Sequence, residues 1–169
     1  MGDRELQRRN GQVRRRLDDI DEHRDARRVT YQIMANAWPN WTEERSPGAD
    51  KMNTTAKFVL SKTLKEAPWG KYKPATIIRD DVERRLVELK NKPGKNVVIY
   101  GSANTVQNLT RMGLIDEYHL LVHPVIPGDG KPLFAKMNRK VKLNLMRTQT
   151  FGNGVNVLYY ERADAPTKV

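Results

Sequence analysis

Residues 96–109 read NVVIYGSANTVQNL and carry the strongest local indication of a fold in the chain. The first half, NVVIY, is a continuous apolar run, typical of a strand that is buried on both faces of a parallel sheet. Gly101 and Ser102 follow at once, and a helical pattern then continues to Gly113, a residue type that commonly ends helices. This stretch therefore predicts a buried strand over 96–101 that leads directly into a helix.

The sequence on the C-terminal side predicts one more strand and a hairpin. YHLLVHPVIP at 118–127 is apolar enough for a strand. VKLNLMRT at 141–148 and VNVLYYER at 155–162 alternate apolar and polar residues, and the glycine-rich FGNG at 151–154 joins them. This arrangement is typical of an antiparallel β-hairpin.

The N-terminal side supplies further strands and helices. KFVL at 57–60 and ATIIR at 75–79 predict short strands, and the stretch from Asp80 to Pro93 has the helical period, with Asp80 and Asp81 as candidate caps. Strands that alternate with helices and end in a hairpin predict an α/β fold. We expect a mostly parallel central sheet, flanked by helices, with a C-terminal antiparallel hairpin.

A short helix is predicted ahead of the first strand. TYQIMANA at 30–37 places Ile33, Met34 and Ala37 toward the core, and Trp38-Pro39 closes the helix because the residue before a proline avoids helical angles. A further helical turn is possible at 49–53.

The chain divides into three predicted segments. Residues 1–28 form a polar, charged leader, residues 29–162 form one domain, and residues 163–169 form a flexible tail. Within the leader, Val13, Leu17 and Ile20 could share one face of a mainly charged helix from about residue 5 to residue 22, which Gly11 weakens.

Composition excludes several classes of function. The 169 residues contain no cysteine, which removes disulfides, thiolate metal ligands and cysteine nucleophiles. No run of apolar residues is long enough to span a membrane and no secretory leader is recognisable, so we expect a cytoplasmic protein. The net charge of +11 is spread along the body of the chain and would suit an anionic ligand, although a generally basic solvated surface is the favoured explanation.

Two places in the predicted sheet suit a phosphate. At the first, Gly101 would let the backbone approach a ligand, and Ser102 would either cap the following helix or contact that ligand. At the second, Ser61, Lys62 and Thr63 combine hydroxyls and a cation at the end of a strand. Both patterns also occur in ordinary turns, and neither a P-loop nor a dinucleotide fingerprint is present.

The histidines, the acidic pair at 116–117 and the aromatic residues do not by themselves identify a functional site. His119 and His123 would lie about 13 Å apart along a strand, so they cannot bind one metal ion together, and we expect no metal site. Asp116-Glu117 fits a structural turn better than an acid/base pair, and no catalytic acid is identified. The aromatic residues Trp38, Trp41, Trp69 and Tyr72 could wall a pocket for a flat ring or fill the core.

Taken together, the motifs resemble the dihydrofolate reductase-like family that includes the reductase domain of riboflavin biosynthesis. The resemblance covers about residues 29–162, and GLIDEYHLLVHPVIPGDGKPLF at 113–134 is its most specific part. It also rests on these motifs: KFVLSKTL, Trp69 followed by ATIIRDD, NVVIYGSANTVQNL and FGNGVNVLYYER.

The resemblance implies an NADPH-dependent reductase that transfers a hydride to a C=O or C=N group of a heterocycle or sugar derivative. It places the phosphate-binding turn of the family at Gly101, Ser102, Ala103, Asn104 and Thr105, and the adenosine-side loop at Ser61, Lys62 and Thr63. It further implies a small-molecule substrate and a homodimer, with no membrane partner.

One family motif is altered in this chain. The Gly-Arg-x-Thr-Tyr motif of the family corresponds to residues 27–31, with Arg28 and Thr30 as candidate cofactor contacts, but Arg27 replaces the glycine. The first apolar strand of the family is missing and the polar IDEHRDA replaces its second one, where a strand would bury unpaired charge. A truncated or locally misread sequence is one hypothesis for this departure.

Three functions follow as hypotheses. The first is an NADPH-dependent reductase acting on a pyrimidine, a pteridine or a related small molecule. The second is a catalytically inactive nucleotide-binding or regulatory protein of the same fold, which the altered motif at Arg27 favours. The third, nucleic-acid binding through the positive charge, is disfavoured because the leader is nearly charge-balanced and contains no nucleic-acid motif.

Overall fold

The computed structural model describes residues 26–135, 137 and 139–165, with side chains described from residue 29 onward. The predicted helix within the leader and residues 166–169 of the predicted tail lie outside these residues. The structure divides into two compact units, one ending at Asp80 and the other beginning at Asp81, and each is described by itself.

The first unit combines two helices with a small parallel sheet. Helix α1 spans Ala26–Ala37, a 3-10 turn spans Trp38–Asn40, and helix α2 spans Ala49–Thr54. Strands β1, Phe58–Leu60, and β2, Thr76–Ile78, pair in parallel with Phe58 opposite Thr76 and Leu60 opposite Ile78. All four predicted elements are therefore confirmed, with ends that differ by a few residues.

The inner face of α1 differs from the predicted one. Ile33 is 63% exposed, while Tyr31 and Met34 are half-buried. Tyr31 packs against the buried cluster of Val59, Ala67 and Ala75. Met34 and Ala37 thus lie on the half-buried side as predicted, the prediction for Ile33 is wrong, and Tyr31 supplies an additional core contact.

The second unit contains two helices and an antiparallel sheet. Helix α3 spans Val82–Asn91 and helix α4 spans Ala103–Arg111. Strands β3, β4 and β5 span Glu117–Val122, Leu143–Thr150 and Asn156–Arg162, and their order in the sheet is β3-β5-β4. These helices, strands and the hairpin between β4 and β5 confirm the corresponding predictions.

Local sequence explains the turns of the second unit. The hairpin closes through hydrogen bonds of Phe151 with Val155 and Gly154, and Gly154 has a φ of +82°, which favours glycine. Gly113, with a φ of +71°, ends α4 as predicted. Asp81 does precede α3, but its side chain makes no capping hydrogen bond and instead pairs with Arg84 at 3.3 Å.

The strand predicted over residues 96–101 is not observed. Residues 96–100 belong to no strand, and Val98 and Tyr100 are 61% and 66% exposed. A strand exists only where another strand supplies hydrogen bonds, and the described residues provide no such partner for this segment. The larger sheet is therefore antiparallel, and among the described strands only β1 and β2 pair in parallel. Among the described residues, no helix has the length and apolar character needed to cross a bilayer.

Candidate functional site

The N-terminus of α4 is the first candidate position for an anion. The Ser102 hydroxyl accepts a hydrogen bond from the backbone N–H of Thr105 at 3.4 Å, so Ser102 is the N-cap residue. The Ser102 carbonyl accepts from the N–H of Val106 at 3.0 Å, which begins the helical ladder. The amides of Ala103 and Asn104 precede that ladder, and both residues are only half-buried. Such amides at a helix N-terminus are available to an anion.

Gly101 gives the turn before α4 its shape. Its φ of +117° lies in a region that residues with a Cβ rarely adopt, and the peptide bond between Gly101 and Ser102 is cis. A glycine therefore suits this backbone conformation.

Ser61 ends the parallel pair in the first unit. Its N–H donates to the carbonyl of Ile78 at 3.1 Å, and its hydroxyl accepts from the N–H of Leu64 at 3.1 Å. Ser61 is itself buried, whereas Lys62 and Thr63 are exposed in the turn that it stabilises. The buried hydroxyl thus shapes the turn, and the two exposed residues are the ones that a ligand can reach.

Arg79 is a candidate residue that sequence reasoning missed. Its guanidinium donates to the carbonyls of Lys62 and Lys65 at 3.3 and 3.4 Å, so it holds the turn after β1. Because β1 and β2 run in parallel with Leu60 opposite Ile78, Ser61 and Arg79 lie at the same end of the pair. The turn therefore gathers Lys62, Lys65 and Arg79. The signal was present in the sequence, since Arg79 is the last residue of the second predicted strand.

The altered family motif forms part of α1. Thr30 is half-buried within this helix, and the side chain of Arg28 lies outside the described part of the chain. The hydroxyl of Tyr31 donates to the carbonyl of Pro68, and burial raises the pKa of Tyr31 above its ordinary value. Tyr31 thus attaches α1 to the segment that precedes Trp69.

Trp69 lies in the core of the first unit. Trp69 is 3% exposed, and its indole N–H donates to the side-chain oxygen of Asn53 at 2.8 Å. The amide nitrogen of Asn53 donates to the carbonyl of Trp38 at 2.9 Å. The Lys57 ammonium lies 4.8 Å from the Trp69 ring centre, and burial lowers the pKa of Lys57. Of the two alternatives for Trp69, the core position is the one observed.

The remaining candidate carboxylates lie in ion pairs. Asp116 pairs with Lys90 at 2.7 Å, and Glu117 lies 3.4 Å from His119. Asp116 therefore connects the end of α3 to the start of β3, in agreement with the structural interpretation. Across the described ranges, no group of three histidines and carboxylates is placed to hold a metal ion.

These features define an α/β protein with two candidate positions for an anion, which we call the anion-attracting positions: the cationic turn after β1 in the first unit and the N-terminus of α4 in the second. The chain matches the family model of the RibD C-terminal domain over residues 2–157, so it belongs to this family. The resemblance inferred from the motifs is thereby confirmed.

Individual relatives support the same family. The chain is 34% identical over 109 residues to YyaP and 36% identical over 88 residues to YwjB, both uncharacterized proteins of Bacillus subtilis. These matches cover 64% and 52% of this chain, and the chain spans only 56% and 50% of the two relatives.

A solved structure gives a further comparison. A putative riboflavin biosynthesis protein from Shewanella sp. PV-4 superimposes with a TM-score of 0.57 and 25% identity. The match covers 64% of this chain and 60% of that one.

Proposed function

We propose that the protein is an NADPH-dependent reductase that acts on a pyrimidine, a pteridine or a related small heterocycle. The observation that carries this proposal is the family match over residues 2–157, which includes both anion-attracting positions. Bound nicotinamide would supply the hydride, and the protein would hold the cofactor and orient the substrate.

The N-terminus of α4 fits the diphosphate of the cofactor. Its first amides are half-exposed, Gly101 leaves the approach open, and the helix dipole favours negative charge at this end. Ser102 would keep its role as N-cap, so the amides of Ala103 and Asn104 are the groups that we assign to the phosphate oxygens.

The resemblance assigns the turn after β1 to the adenosine side of the cofactor, where NADPH carries a phosphate that NADH lacks. Lys62 and Thr63 are exposed in this turn, and the Arg79 guanidinium donates to it. Lys62, Lys65 and Arg79 are three cations at one turn, and such a cluster favours a dianionic group. We therefore assign the choice of NADPH over NADH to Lys62 and Arg79.

Titration with NADPH and NADH, followed by nicotinamide fluorescence, tests the assignment. The wild-type protein should bind NADPH more tightly than NADH. The variant Lys62→Gln/Arg79→Gln should lose at least about tenfold of its NADPH affinity, which corresponds to one charge-assisted hydrogen bond, and little of its NADH affinity.

Lys51→Gln/Lys73→Gln is the matched control, since both lysines are exposed in the first unit and their loss removes the same two positive charges. Equal losses for NADPH and NADH in the double variant would contradict the assigned role of Lys62 and Arg79. NADPH oxidation in the presence of a panel of pyrimidines and pteridines then tests the reaction itself.

A second candidate function is binding without catalysis. Arg27 stands where the family motif has glycine, at the start of the helix that the family places opposite the cofactor. Saturable NADPH binding with no oxidation across the substrate panel would favour this nucleotide-binding or regulatory role over the reductase.

A further inference from the structure

The second unit contains a groove at the C-terminal end of α4 that the proposed cofactor site does not use. One half of this groove is apolar and aromatic, with a volume of about 190 Å³. The other half is basic, with a volume of about 350 Å³. Arg139 and Val141 line both halves, so the two are continuous. We call this surface the basic-aromatic groove.

The apolar half is built on the inner face of the antiparallel sheet. Tyr118 is 5% exposed, and its hydroxyl donates to Thr110 at 2.9 Å, which satisfies the polar atom and leaves the ring as an apolar wall. The Phe134 ring meets the Tyr118 ring edge to face at 5.7 Å. Met137 and Leu143, both half-buried, complete the lining. This half offers contacts that suit a flat ring.

The basic half carries an excess of positive charge. Arg139, Lys140 and Lys142 line it together with one carboxylate, Asp164. Asp164 already accepts a hydrogen bond from the buried Arg162 at 2.8 Å, and this guanidinium holds the pKa of the carboxyl below its ordinary value. Asp164, the one acid among the described lining residues, is therefore paired with Arg162, and the described lining contains no further carboxylate opposite Lys140 and Lys142.

Two guanidinium groups converge next to the groove. A methyl group added at Gly113 would lie 3.2 Å from Arg162 Nη1 and 3.4 Å from Arg139 Nη2. Arg162 donates to the carbonyls of Gly113 and Ile115, so its charge is partly balanced by the C-terminal end of α4. Arg139 is exposed and adds a further cation. The repulsion among these groups would be relieved by an anion.

We propose that the basic-aromatic groove binds a small aromatic molecule that carries an anionic group, with the ring against Phe134 and Leu143 and the anion near Lys140 and Lys142. The two volumes together fall within the roughly 300–1,000 Å³ that is typical of small-molecule sites. Each half would recognise one part of the ligand. The apolar half would contact the ring, and the basic half would bind the anionic group. This inference does not rest on the proposed reductase function.

Calorimetric titration of the full chain with 1-naphthyl phosphate tests the groove. We expect saturable binding that exceeds the binding of 1-naphthol and of inorganic phosphate, because each of these lacks one of the two recognised parts. The variant Lys140→Gln/Lys142→Gln should weaken binding at least about tenfold, and Phe134→Ala should weaken it by a comparable factor.

The control variant is Lys92→Gln/Lys95→Gln, which removes the same charge from exposed positions after α3 and should change the affinity less than about twofold. Thermal unfolding of each variant separates a lost site from a lost fold. Equal weakening by both double variants, or no saturable binding by the folded wild-type protein, would overturn the proposal.

The titration with 1-naphthyl phosphate is repeated in the presence of excess NADPH, because an aromatic phosphate could also bind in the cofactor site. Binding of the probe that is unchanged by NADPH supports the groove. Displacement of the probe by NADPH would place it in the cofactor site and overturn the proposal, while leaving the proposed reductase function intact.

Discussion

Gly70 illustrates how a single residue can be fixed by its surroundings. It has a φ of +53°, and a Cβ at this position would lie 2.5 Å from the Cβ of Pro39. Both the backbone conformation and the available space therefore require glycine. Gly48 has a φ of +92° with no atom within 4 Å of the added Cβ, so only its conformation favours glycine.

These two glycines provide a matched pair of variants. Gly48→Ala should cost about 1 kcal/mol of the free energy of unfolding, which is the conformational penalty alone. Gly70→Ala should cost about 2–4 kcal/mol, because overpacking against Pro39 is added to that penalty. Chemical denaturation measures both, and an equal loss in the two variants would show that the contact with Pro39 is relieved at little cost.

Glu43 shows how a solvent-exposed carboxylate can organise a loop. Its oxygens accept hydrogen bonds from the N–H groups of Gly48 at 2.6 Å and Asp50 at 3.1 Å. These bonds favour the ionised form and lower the pKa of Glu43 below 4.5. The carboxylate thus stabilises the N-terminal turn of α2.

The pH dependence of stability follows from this shift. A carboxyl whose pKa is lower in the folded state contributes its stability above the unfolded value of 4.5 and loses it as the pH falls through the folded value. The melting temperature of wild-type protein should therefore fall on acidification below pH 4.5 more steeply than that of Glu43→Gln. Thermal scans between pH 3 and pH 6 measure this, and identical slopes would contradict the role of Glu43.

At the scale of elements, the start of α4 combines stability and binding in a few residues. Ser102 caps the helix through Thr105, and the neighbouring amides remain available. Variants at Ser102 can separate these two properties, because the cap requires an oxygen acceptor whereas the proposed phosphate site requires the absence of negative charge.

Ser102→Ala should therefore lose about 1 kcal/mol of stability, since the cap is removed. Ser102→Asp should keep the stability, because aspartate is a good N-cap, but should bind NADPH several-fold more weakly, because its charge repels the diphosphate. Ser102→Thr preserves both properties as the control. Unchanged NADPH affinity in Ser102→Asp would argue against a phosphate at this helix.

Helices and the hairpin were predictable from sequence because their determinants are local. The proline after Trp38 ends α1, Gly113 ends α4, and the glycine-rich turn at 151–154 fixes the pairing of β4 with β5. The strand predicted at residues 96–100 is wrong because the determinants of strand pairing are not local. Its apolar composition is compatible with a buried strand, but pairing depends on another segment, and no pattern within five residues determines that.

At the scale of the whole molecule, the net charge of +11 favours the association of anionic ligands. We expect the NADPH affinity to fall several-fold as ionic strength rises from about 10 mM to about 150 mM, over which the screening length falls from about 30 Å to about 8 Å. Fluorescence titrations at several salt concentrations measure this. The NADH affinity should change less, since NADH lacks one phosphate, and equal slopes would remove the charge argument for NADPH.

The sequence by itself determined the family and most of the helices and strands, because these are properties of consecutive residues. For the same reason it marked Gly101 and residues 61–63 as candidate site residues. Only the tertiary structure showed that Arg79 holds the turn after β1, that Trp69 fills the core, and that the larger sheet is antiparallel. Each of these depends on a contact between residues far apart along the chain. The basic-aromatic groove belongs to the same class, since Tyr118 and Lys142 come together only when the sheet is formed.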